Sequence, residues 1–499
     1  SGADGTAILL AQDREGWASL SAVASALALD PGRDLVSELE ERSGGLFVLC
    51  RDPAILPAVA RALPRDRIRI ATESMERLRS LAPLGHQLGI RPVAVGDVHF
   101  ASPGRRARHR SLRAIALRTS LDGVPTAELA PEAAWLAGEA ELRRRFASHP
   151  EAVDEAGSIA AACQLDLPRD LGFGRRRFPQ VAGDPPRQLA ARCRAGLRRR
   201  LGGVDGAHRG RLSLELAVIV RLGYAPYFLV LADLIDYARR RGIAHWGRGS
   251  AAGSLVAFAL GLAPVDPLAH GLLFERFLNP ARQDPPDVDL DLDWRRRDEV
   301  IDHLARRHGC ERVARQGSVV THGARGAVRE LGASAGIPPR QLSRLTRALP
   351  PGSAPLTPEA LEGAVRLAGL AIAGSRLRWV LDTAVAIQSY PRHLSLHPTG
   401  VVVASRPLGT WIPLFRSARG AVATQWSMDA VARAGLVKID LLGNRALAAL
   451  QEARSAVIGL GGADPDHVDP STDPQTRALI QRGETLACFH VESPAIRGL

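Results

Sequence analysis

The sequence predicts a multidomain protein of mixed α/β and α+β class. With 499 residues, the chain exceeds one ordinary domain, so we expect roughly three or four folding units. Helical stretches alternate with short aliphatic runs over residues 1–150, which is the pattern of an α/β unit. Residues 151–245 become helical and arginine-rich, and strand-like alternation returns near residues 290, 400 and 440.

Charge and cysteine usage limit the partners and the compartment. The net charge of +13 and the pI near 10.7 indicate a polyanionic partner. Because no apolar run reaches the roughly 18 residues that span a bilayer, we expect nucleic acid and no membrane. The five cysteines are widely spaced and no signal peptide is apparent, which favours a cytoplasmic location. The chain begins at Ser1 rather than Met and ends as a new segment opens, so we expect a fragment.

The first candidate site lies near the end of the N-terminal α/β unit. The run V-A-V-G-D-V-H-F places Asp97 and His99 two residues apart, on one face of a predicted strand near its end. Such a pair can bind a metal ion if further ligands join it, and Glu73, His86 and His109 are the nearby candidates. A hydrogen-bonded pair that holds a loop explains the motif equally well.

Arginine clusters are the main feature of the next part of the chain. Each contains three consecutive arginines, at residues 142–146, 174–178, 197–201 and 238–242. Such clusters are usually solvated helix faces, but four of them also predict a phosphate-facing surface. Because aromatic residues make up only 4% of the chain, stacking on bases is not expected to be the main DNA contact.

A glycine- and serine-rich loop follows at residues 245–254, with the sequence H-W-G-R-G-S-A-A-G-S. Its glycines allow close backbone approach to a ligand, Ser250 can cap, and the apolar helix behind it would direct backbone N–H groups at a phosphate. A tightly packed Gly/Ala/Ser helix is the alternative. A further helix is predicted over L-L-F-E-R-F-L, ended by Asn279-Pro280, with Arg276 and Arg282 available to phosphate.

The acidic stretch from Asp287 to Asp293 is the strongest single feature. Acids and aliphatics alternate strictly there, so a strand would place four carboxylates on one face and Val288, Leu290 and Leu292 on the other. Stacked carboxylates repel one another unless a cation lies among them, and oxygen-only ligands favour Mg²⁺ or Mn²⁺. A solvated acidic edge strand and a calcium loop are the alternatives. The second is disfavoured because Leu292 occupies the position where such a loop needs glycine.

The remainder predicts an amphipathic helix closed by Gly309, a helical segment over residues 321–385, and strands at 391–404 and 436–442. The last strand places Lys438, the single lysine of the chain, and Asp440 on one face. If this strand pairs with the acidic one, Asp440 completes a three-carboxylate metal site beside Lys438.

Together these segments resemble the bacterial family C DNA polymerases, which comprise the DNA polymerase III alpha subunit and its error-prone relatives. The resembling motifs are G-R-G-S-A-A-G-S at 247–254, L-L-F-E-R-F-L-N-P at 272–280, P-D-V-D-L-D at 286–291, H-P-T-G-V-V-V at 397–403, G-L-V-K-I-D-L-L-G at 435–443 and F-H-V-E-S at 489–493.

The resemblance implies a DNA-directed DNA polymerase, with primer-template DNA and deoxynucleoside triphosphates as substrates. It implies two Mg²⁺ ions, replaceable by Mn²⁺, and a sliding clamp and other replication or repair factors as partners. Its catalytic metal ligands would be Asp289, Asp291 and Asp440. Its nucleotide-binding residues would be Arg248, Gly249, Ser250, Arg276, Arg282 and Lys438.

The resemblance also implies a domain order. Residues 1–155 would be a partial polymerase-and-histidinol-phosphatase (PHP) domain, a distorted β/α barrel in which Asp97 and His99 are a metal-site remnant. Residues 156–320 and 391–443 would form a nucleotidyltransferase palm with a mixed sheet. Residues 321–390 would be a helical thumb, and 444–499 the start of the helical fingers.

Some departures from the family pattern favour the error-prone branch, among them P-R-H-L-S before His397. Two other functions remain open at this point. One is a PHP-type metal-dependent phosphoesterase seated on Asp97 and His99, and the other is a catalytically inactive DNA-binding scaffold.

Overall fold

The computed structural model describes residues 6–279, 286, 288–350, 356–370, 375–465, 472–489 and 491–498. The chain divides into two compact units. Unit 1 takes its described residues from 1–173, 317–396 and 409–430, and unit 2 takes them from 174–316, 397–408 and 431–499.

The described residues form eleven strands, numbered in chain order: β1 (Ala7–Ala11), β2 (Leu46–Cys50), β3 (Ile68–Thr72), β4 (Pro92–Ala94), β5 (His245–Arg248), β6 (Asp289–Asp293), β7 (Val313–Thr321), β8 (Pro391–Val403), β9 (Leu414–Arg416), β10 (Val422–Thr424) and β11 (Val437–Asn444). They also form these α-helices: α1 (Arg14–Leu29), α2 (Leu35–Glu41), α3 (Leu56–Ala62), α4 (Met75–Leu88), α5 (Arg106–Leu117), α6 (Glu139–Arg145), α7 (Glu151–Ala162), α8 (Leu167–Asp170), α9 (Pro185–Leu201), α10 (Gly206–Arg221), α11 (Ala225–Arg240), α12 (Leu255–Leu260), α13 (Arg297–His308), α14 (Ala324–Ser334), α15 (Pro339–Ala348), α16 (Pro358–Leu367), α17 (Ser375–Ile387), α18 (Met428–Arg433), α19 (Arg445–Gly459), α20 (Pro474–Gln481) and α21 (Pro494–Arg497).

The N-terminal part of unit 1 is an α/β structure, as predicted. Its sheet has the order β1-β2-β3-β4, with β1 antiparallel to β2 and the other pairs parallel. Strands β2 and β3 are buried along their whole length, which agrees with the apolar run of β2, whereas β3 also buries Arg69 and Thr72. The barrel implied by the family resemblance remains a prediction.

A second part of unit 1 is helical, as predicted for residues 321–385. Helices α14 to α17 enclose their own apolar core, with buried Val328, Leu331, Val365 and Val380 among its members. Each of these helices is amphipathic and too short to be stable alone, so packing of the apolar faces must supply most of the stability. Its assignment as a thumb remains a prediction.

Unit 2 contains part of a mixed sheet, in which β5, β6, β11 and β8 are neighbours in this order. Strand β6 is parallel to β11, while β5 and β8 run antiparallel to their neighbours. One face carries Leu290, Leu292, Ile439 and Leu441, all buried in a core that α9, α11, α12 and α13 also line. The predicted acidic, 391–404 and 436–442 strands are therefore confirmed, with β6 described from Asp289 onward. The predicted helix ending at Gly309 is confirmed as α13.

The helix predicted over L-L-F-E-R-F-L is wrong. Only a single 3₁₀ turn forms there, Phe274–Arg276, and Phe274, Phe277 and Leu278 are buried. Gly271 precedes the segment at φ 61° and Asn279-Pro280 follows it, so too few residues remain for a stable α-helix. The helix-like spacing of the apolar residues therefore reflects their packing into the core from one turn.

No single helix among the described residues is long and apolar enough to cross a membrane. Helices α10 and α11 meet that criterion only as a pair, and they are bent by 115° at the break between them. Ten residues of α11 are buried within unit 2, which explains its apolar composition.

His208 on α10 bridges two carboxylates and gives unit 2 a pH-dependent contact. Its Nδ1 lies 2.7 Å from Asp205 Oδ1 and its Nε2 lies 3.0 Å from Asp266 Oδ2. Hydrogen bonding to Asp266, and then to Asp205, raises the pKa of His208 above its usual value. A raised pKa in the folded state means that the stabilisation is complete below about pH 6.5 and is lost as pH rises through the folded-state pKa.

We therefore expect His208→Gln to lower the free energy of unfolding most at about pH 6, because only the protonated imidazole makes both ion pairs. The difference from the unmodified protein should shrink toward about pH 9. Urea unfolding at several pH values measures this. A difference that grows with pH would contradict the assignment.

Candidate active site

The central feature of unit 2 is the pairing of β6 with β11. In this parallel pair Asp440 lies directly opposite Asp289, and Asp291 lies two residues further along β6. Neighbouring strands are about 4.8 Å apart and opposite residues point to the same face. The register therefore brings Asp289, Asp291 and Asp440 onto one face of the sheet, as the sequence predicted if the two strands paired. Asp291 is 3% exposed and Asp440 is 5% exposed, so two of the three acids are buried.

Two positively charged side chains lie beside these acids. Arg248 on β5 lies opposite Asp289, and its guanidinium is 3.2 Å from Asp291 Oδ2 and 3.9 Å from Asp289 Oδ2. Lys438 lies two residues before Asp440 on the same face of β11, and its Nζ is 2.5 Å from Asp440 Oδ2. The structure therefore brings together five of the predicted site residues.

The donor set suits a hard divalent cation. All three acids offer oxygen ligands, and three carboxylates against two cationic side chains leave residual negative charge on this face. As the side chains stand, however, no group of three or more His, Cys, Asp or Glu side chains within the described ranges could hold a metal ion. In this arrangement, Asp291 pairs with Arg248 and Asp440 pairs with Lys438. Metal binding would require these side chains to turn while the backbone register stays.

The glycines of the loop at 247–254 serve two purposes. A Cβ on Gly247 would lie 1.5 Å from the Leu262 carbonyl oxygen, and one on Gly253 would lie 2.5 Å from that of Leu273. These two glycines therefore permit tight backbone packing, which is the alternative that the sequence left open. Gly249 differs, because its φ is 76° and a Cβ there would lie 3.8 Å from Asp289 Oδ2. Gly249 thus adjoins the acids, and it opens a short 3₁₀ helix, Gly249–Gly253.

The predicted phosphate site at the start of the apolar helix is wrong. Ser254, not Ser250, caps α12 by accepting a hydrogen bond from the Ala257 N–H. The carboxylate of Glu215 accepts hydrogen bonds from the Leu255 N–H, the Val256 N–H and the Ser254 hydroxyl. Because this carboxylate already satisfies the free N–H groups, the helix start cannot offer them to a ligand.

Glu215 is the structural residue that sequence reasoning missed. It is 0% exposed, and Arg211 Nε donates to its Oε1 at 2.7 Å. The only sequence signal is the i, i+4 spacing of Arg211 and Glu215 on α10, which surface helices also show commonly.

The structure describes only some of the other predicted nucleotide-binding residues. Ser250 and Arg276 are exposed, the first in the 3₁₀ helix beside Gly249 and the second in the turn Phe274–Arg276. Arg282 and Asp287 lie outside the described residues. Trp246, which was not predicted as a site residue, lies opposite Asp291 on β5 and is 51% exposed.

The arginine clusters are partly structural. In α6, Arg143, Arg144 and Arg145 pair with acidic side chains of the same unit. In α9, the Arg200 guanidinium lies 4.1 Å from the centre of the Phe258 ring and donates to the Pro264 carbonyl at 3.0 Å. The arginine clusters alone therefore do not establish a phosphate-facing surface, which remains a prediction.

The Asp97 and His99 pair of unit 1 does not lie on a strand, which corrects the prediction. Strand β4 ends at Ala94, and Asp97 adopts a φ of 42° in the loop beyond it. Arg51 Nη1 lies 3.0 Å from Asp97 Oδ1, while His99 Nε2 lies 3.6 Å from the same oxygen. His99 packs edge-on against His109, whose pKa is lowered chiefly by burial. The arginine contact favours the loop-holding interpretation, and metal binding at this pair stays a prediction.

Comparison with known proteins shows the family of the chain. Residues 187–443 match the family model described as the bacterial DNA polymerase III alpha NTPase domain, which covers more than half of the chain. The chain belongs to this family. The matched segment contains β5, β6, the 247–254 loop and most of β11, so the acidic face lies within the family's shared region.

Curated relatives carry two kinds of name. The DNA polymerase III subunit alpha of Bacillus subtilis is 35% identical over 420 residues, covering 83% of this chain and 37% of the relative. The error-prone DNA polymerase of Pseudomonas paraeruginosa is 36% identical over 429 residues, covering 84% and 41%. The DNA polymerase III subunit alpha of Thermus aquaticus is 33% identical over 490 residues, covering 84% and 40%. The chain thus spans about two fifths of the length of these relatives.

Proposed function

We propose that the protein is a DNA-directed DNA polymerase that adds deoxynucleotides to a primer 3′-hydroxyl under direction of a template. The observation that carries this proposal is the β6–β11 register, which places Asp440 opposite Asp289 and beside Asp291. Acids on two adjacent strands of one sheet can share a pair of divalent ions, and such a pair can catalyse phosphoryl transfer. Membership of the polymerase III alpha family supports the same reaction.

Asp289, Asp291 and Asp440 would hold two Mg²⁺ ions, with Mn²⁺ able to replace them. When bound, such ions lower the pKa of the attacking hydroxyl and neutralise the triphosphate. The chain's own contribution is to fix three carboxylates on a rigid sheet whose opposite face is buried in the core. The sheet would therefore hold the backbone positions of the three acids fixed, so that only their side chains turn when the ions bind.

The two positively charged side chains, Arg248 and Lys438, would exchange their carboxylate partners for phosphate when the substrate binds. Arg248 and Lys438 now neutralise Asp291 and Asp440, and divalent ions on those acids would release them. Released side chains at this position can contact the incoming triphosphate, Arg248 through bidentate hydrogen bonds and Lys438 as a compact charge. The exposed Gly249 and Ser250 would bring backbone and hydroxyl donors to the same phosphates, and Arg276 and Arg282 would add charge.

We propose the biological role only as DNA replication and repair synthesis. Relatives named DNA polymerase III subunit alpha are 33–35% identical to this chain and one named error-prone DNA polymerase is 36% identical, so we propose DNA replication and error-prone repair synthesis together as the role. The motif P-R-H-L-S before His397 favours the error-prone branch. A sliding clamp and other replication or repair factors would be its partners, along with primer-template DNA.

Primer extension on a defined template tests the proposal. With Mg²⁺ and single deoxynucleoside triphosphates, the full-length protein should add only the nucleotide complementary to the first unpaired template base. Chelation of the divalent ion should stop addition. Release of phosphate without extension, or addition that ignores the template, would contradict the proposed function.

A further inference from the structure

Strand β8 contributes a hydroxyl to the acidic face. Gly400 on β8 lies opposite Asp440 in the antiparallel β8–β11 pair, and Thr399 is its immediate neighbour. The Thr399 hydroxyl donates a hydrogen bond to Asp440 Oδ1 at 2.8 Å. This contact lies within one sheet of unit 2 and involves an acid that is almost fully buried.

The two oxygens of Asp440 have different partners. Oδ1 accepts from the Thr399 hydroxyl, and Oδ2 pairs with Lys438 Nζ at 2.5 Å. A carboxylate held at both oxygens has one orientation, whereas a carboxylate held at one can rotate. Thr399 makes its contact with a neutral donor, so an incoming cation would compete with Lys438 and would leave the hydroxyl in place.

His397 helps to direct the Thr399 hydroxyl. The Gly400 N–H donates to His397 Nδ1 at 3.1 Å, so that nitrogen is an acceptor and its ring proton lies on Nε2. The Thr399 Oγ1 lies 3.2 Å from the same Nδ1, yet the single hydroxyl hydrogen goes to Asp440. The His397–Gly400 segment of β8 therefore orients the hydroxyl toward the acid.

We propose that Thr399 is a positioning residue that holds Asp440 Oδ1, so that Oδ2, which now pairs with Lys438, is left to bind a divalent ion. This inference rests on the proposed function, because it assigns a role toward the metal ions of that site. Hydrogen bonds from outside the coordination sphere commonly change metal affinity by about 10- to 100-fold. Loss of the Thr399 hydroxyl should therefore weaken metal binding itself, apart from any effect on turnover.

The inference is tested by measuring Mn²⁺ binding to the full-length protein. Electron paramagnetic resonance detects the bound Mn²⁺, and Mg²⁺ is added as a competitor. Thr399→Val keeps the β-branched shape but removes the hydroxyl, so it should raise the Kd for the site roughly tenfold or more. Thr399→Ser retains the donor and should stay within about threefold of the unmodified protein. Thr399→Ala, which also lacks the donor, should resemble Thr399→Val and replaces it if that variant unfolds.

Two further variants serve as controls for the metal ligand and for the loss of a buried hydroxyl. Asp440→Asn removes the proposed ligand, and Thr485→Val removes another buried hydroxyl of unit 2, one that donates to the Val491 carbonyl. Unchanged Mn²⁺ affinity in Thr399→Val and Thr399→Ala, with binding weakened by Asp440→Asn, would overturn this inference alone. Weakening by Thr399→Ser or by Thr485→Val equal to that of Thr399→Val would also overturn it. A Mn²⁺ affinity that Asp440→Asn leaves unchanged would overturn the proposed function and the inference together.

Discussion

Asparagine at Asp289, Asp291 or Asp440 in the full-length protein is expected to reduce primer extension by about 1000-fold or more, equivalent to roughly 4 kcal/mol in the barrier. The reason is that each acid lies on the face where β6 and β11 meet, so each substitution would remove one charged oxygen ligand from the proposed metal site. Because asparagine is nearly isosteric, the sheet and its buried core should persist. Single-turnover extension with saturating nucleotide measures the effect on the chemical step.

Asp293 provides the matched control for these three substitutions. It lies on the same strand and the same face, but opposite Asn444 at the far end of the β6–β11 pair, and its carboxylate accepts a hydrogen bond from the Arg295 N–H. Asp293→Asn should therefore leave extension within a few-fold of normal. Salt-dependent DNA binding should be nearly unchanged in all four variants, because the phosphate backbone dominates it. Normal extension by any of the first three would refute that residue's assignment.

Glu215→Ala should give the largest loss of stability, about 3–5 kcal/mol in the free energy of unfolding. The substitution removes the acceptor for the Leu255 and Val256 N–H groups and for the Ser254 hydroxyl, and it leaves Arg211 without its carboxylate. All of this occurs where Glu215 is fully buried, so water cannot readily replace the lost partner. Denaturant unfolding monitored by circular dichroism measures the loss.

Glu299→Ala is the control for Glu215→Ala. Glu299 also pairs with an arginine, Arg296 at the start of α13, at 2.8 Å, but its side chain is 38% exposed. Exposed pairs of this kind contribute about 0–1 kcal/mol, so this variant should unfold close to the unmodified protein. A loss below about 1 kcal/mol for Glu215→Ala would mean that α12 does not depend on this carboxylate.

The sequence was most informative where a local pattern decides the structure. Strict alternation predicted β6, because Leu290 and Leu292 must face the core while the acids face away from it. Gly309 marked the end of α13, because a backbone φ of 99° there favours glycine. The same alternation in β11 placed Lys438 and Asp440 on one face, which the structure confirms through their contact at 2.5 Å.

Contacts between distant segments were not predictable in the same way. Glu215 and Ser254 are 39 residues apart, and nothing in the helical pattern of α10 indicates that one of its acids caps another helix. The short apolar run at 272–278 has helix-like spacing, although its aromatic residues pack into the core from a single turn. Similarly, the alternating pattern around Asp97 does not indicate that the strand ends at Ala94. Each of these errors arises because tertiary packing overrides a short local pattern.

The most direct test of the central claim is to locate Mn²⁺ by anomalous diffraction in crystals of the full-length protein with a dideoxy-terminated primer, a template and the next nucleotide. Two peaks about 3.5–4 Å apart, ligated by Asp289, Asp291 and Asp440, are the expected result. Arg248 and Lys438 should then contact the triphosphate instead of the acids. Bound nucleotide with Mn²⁺ only elsewhere, for instance beside Asp97 and His99, would contradict the account.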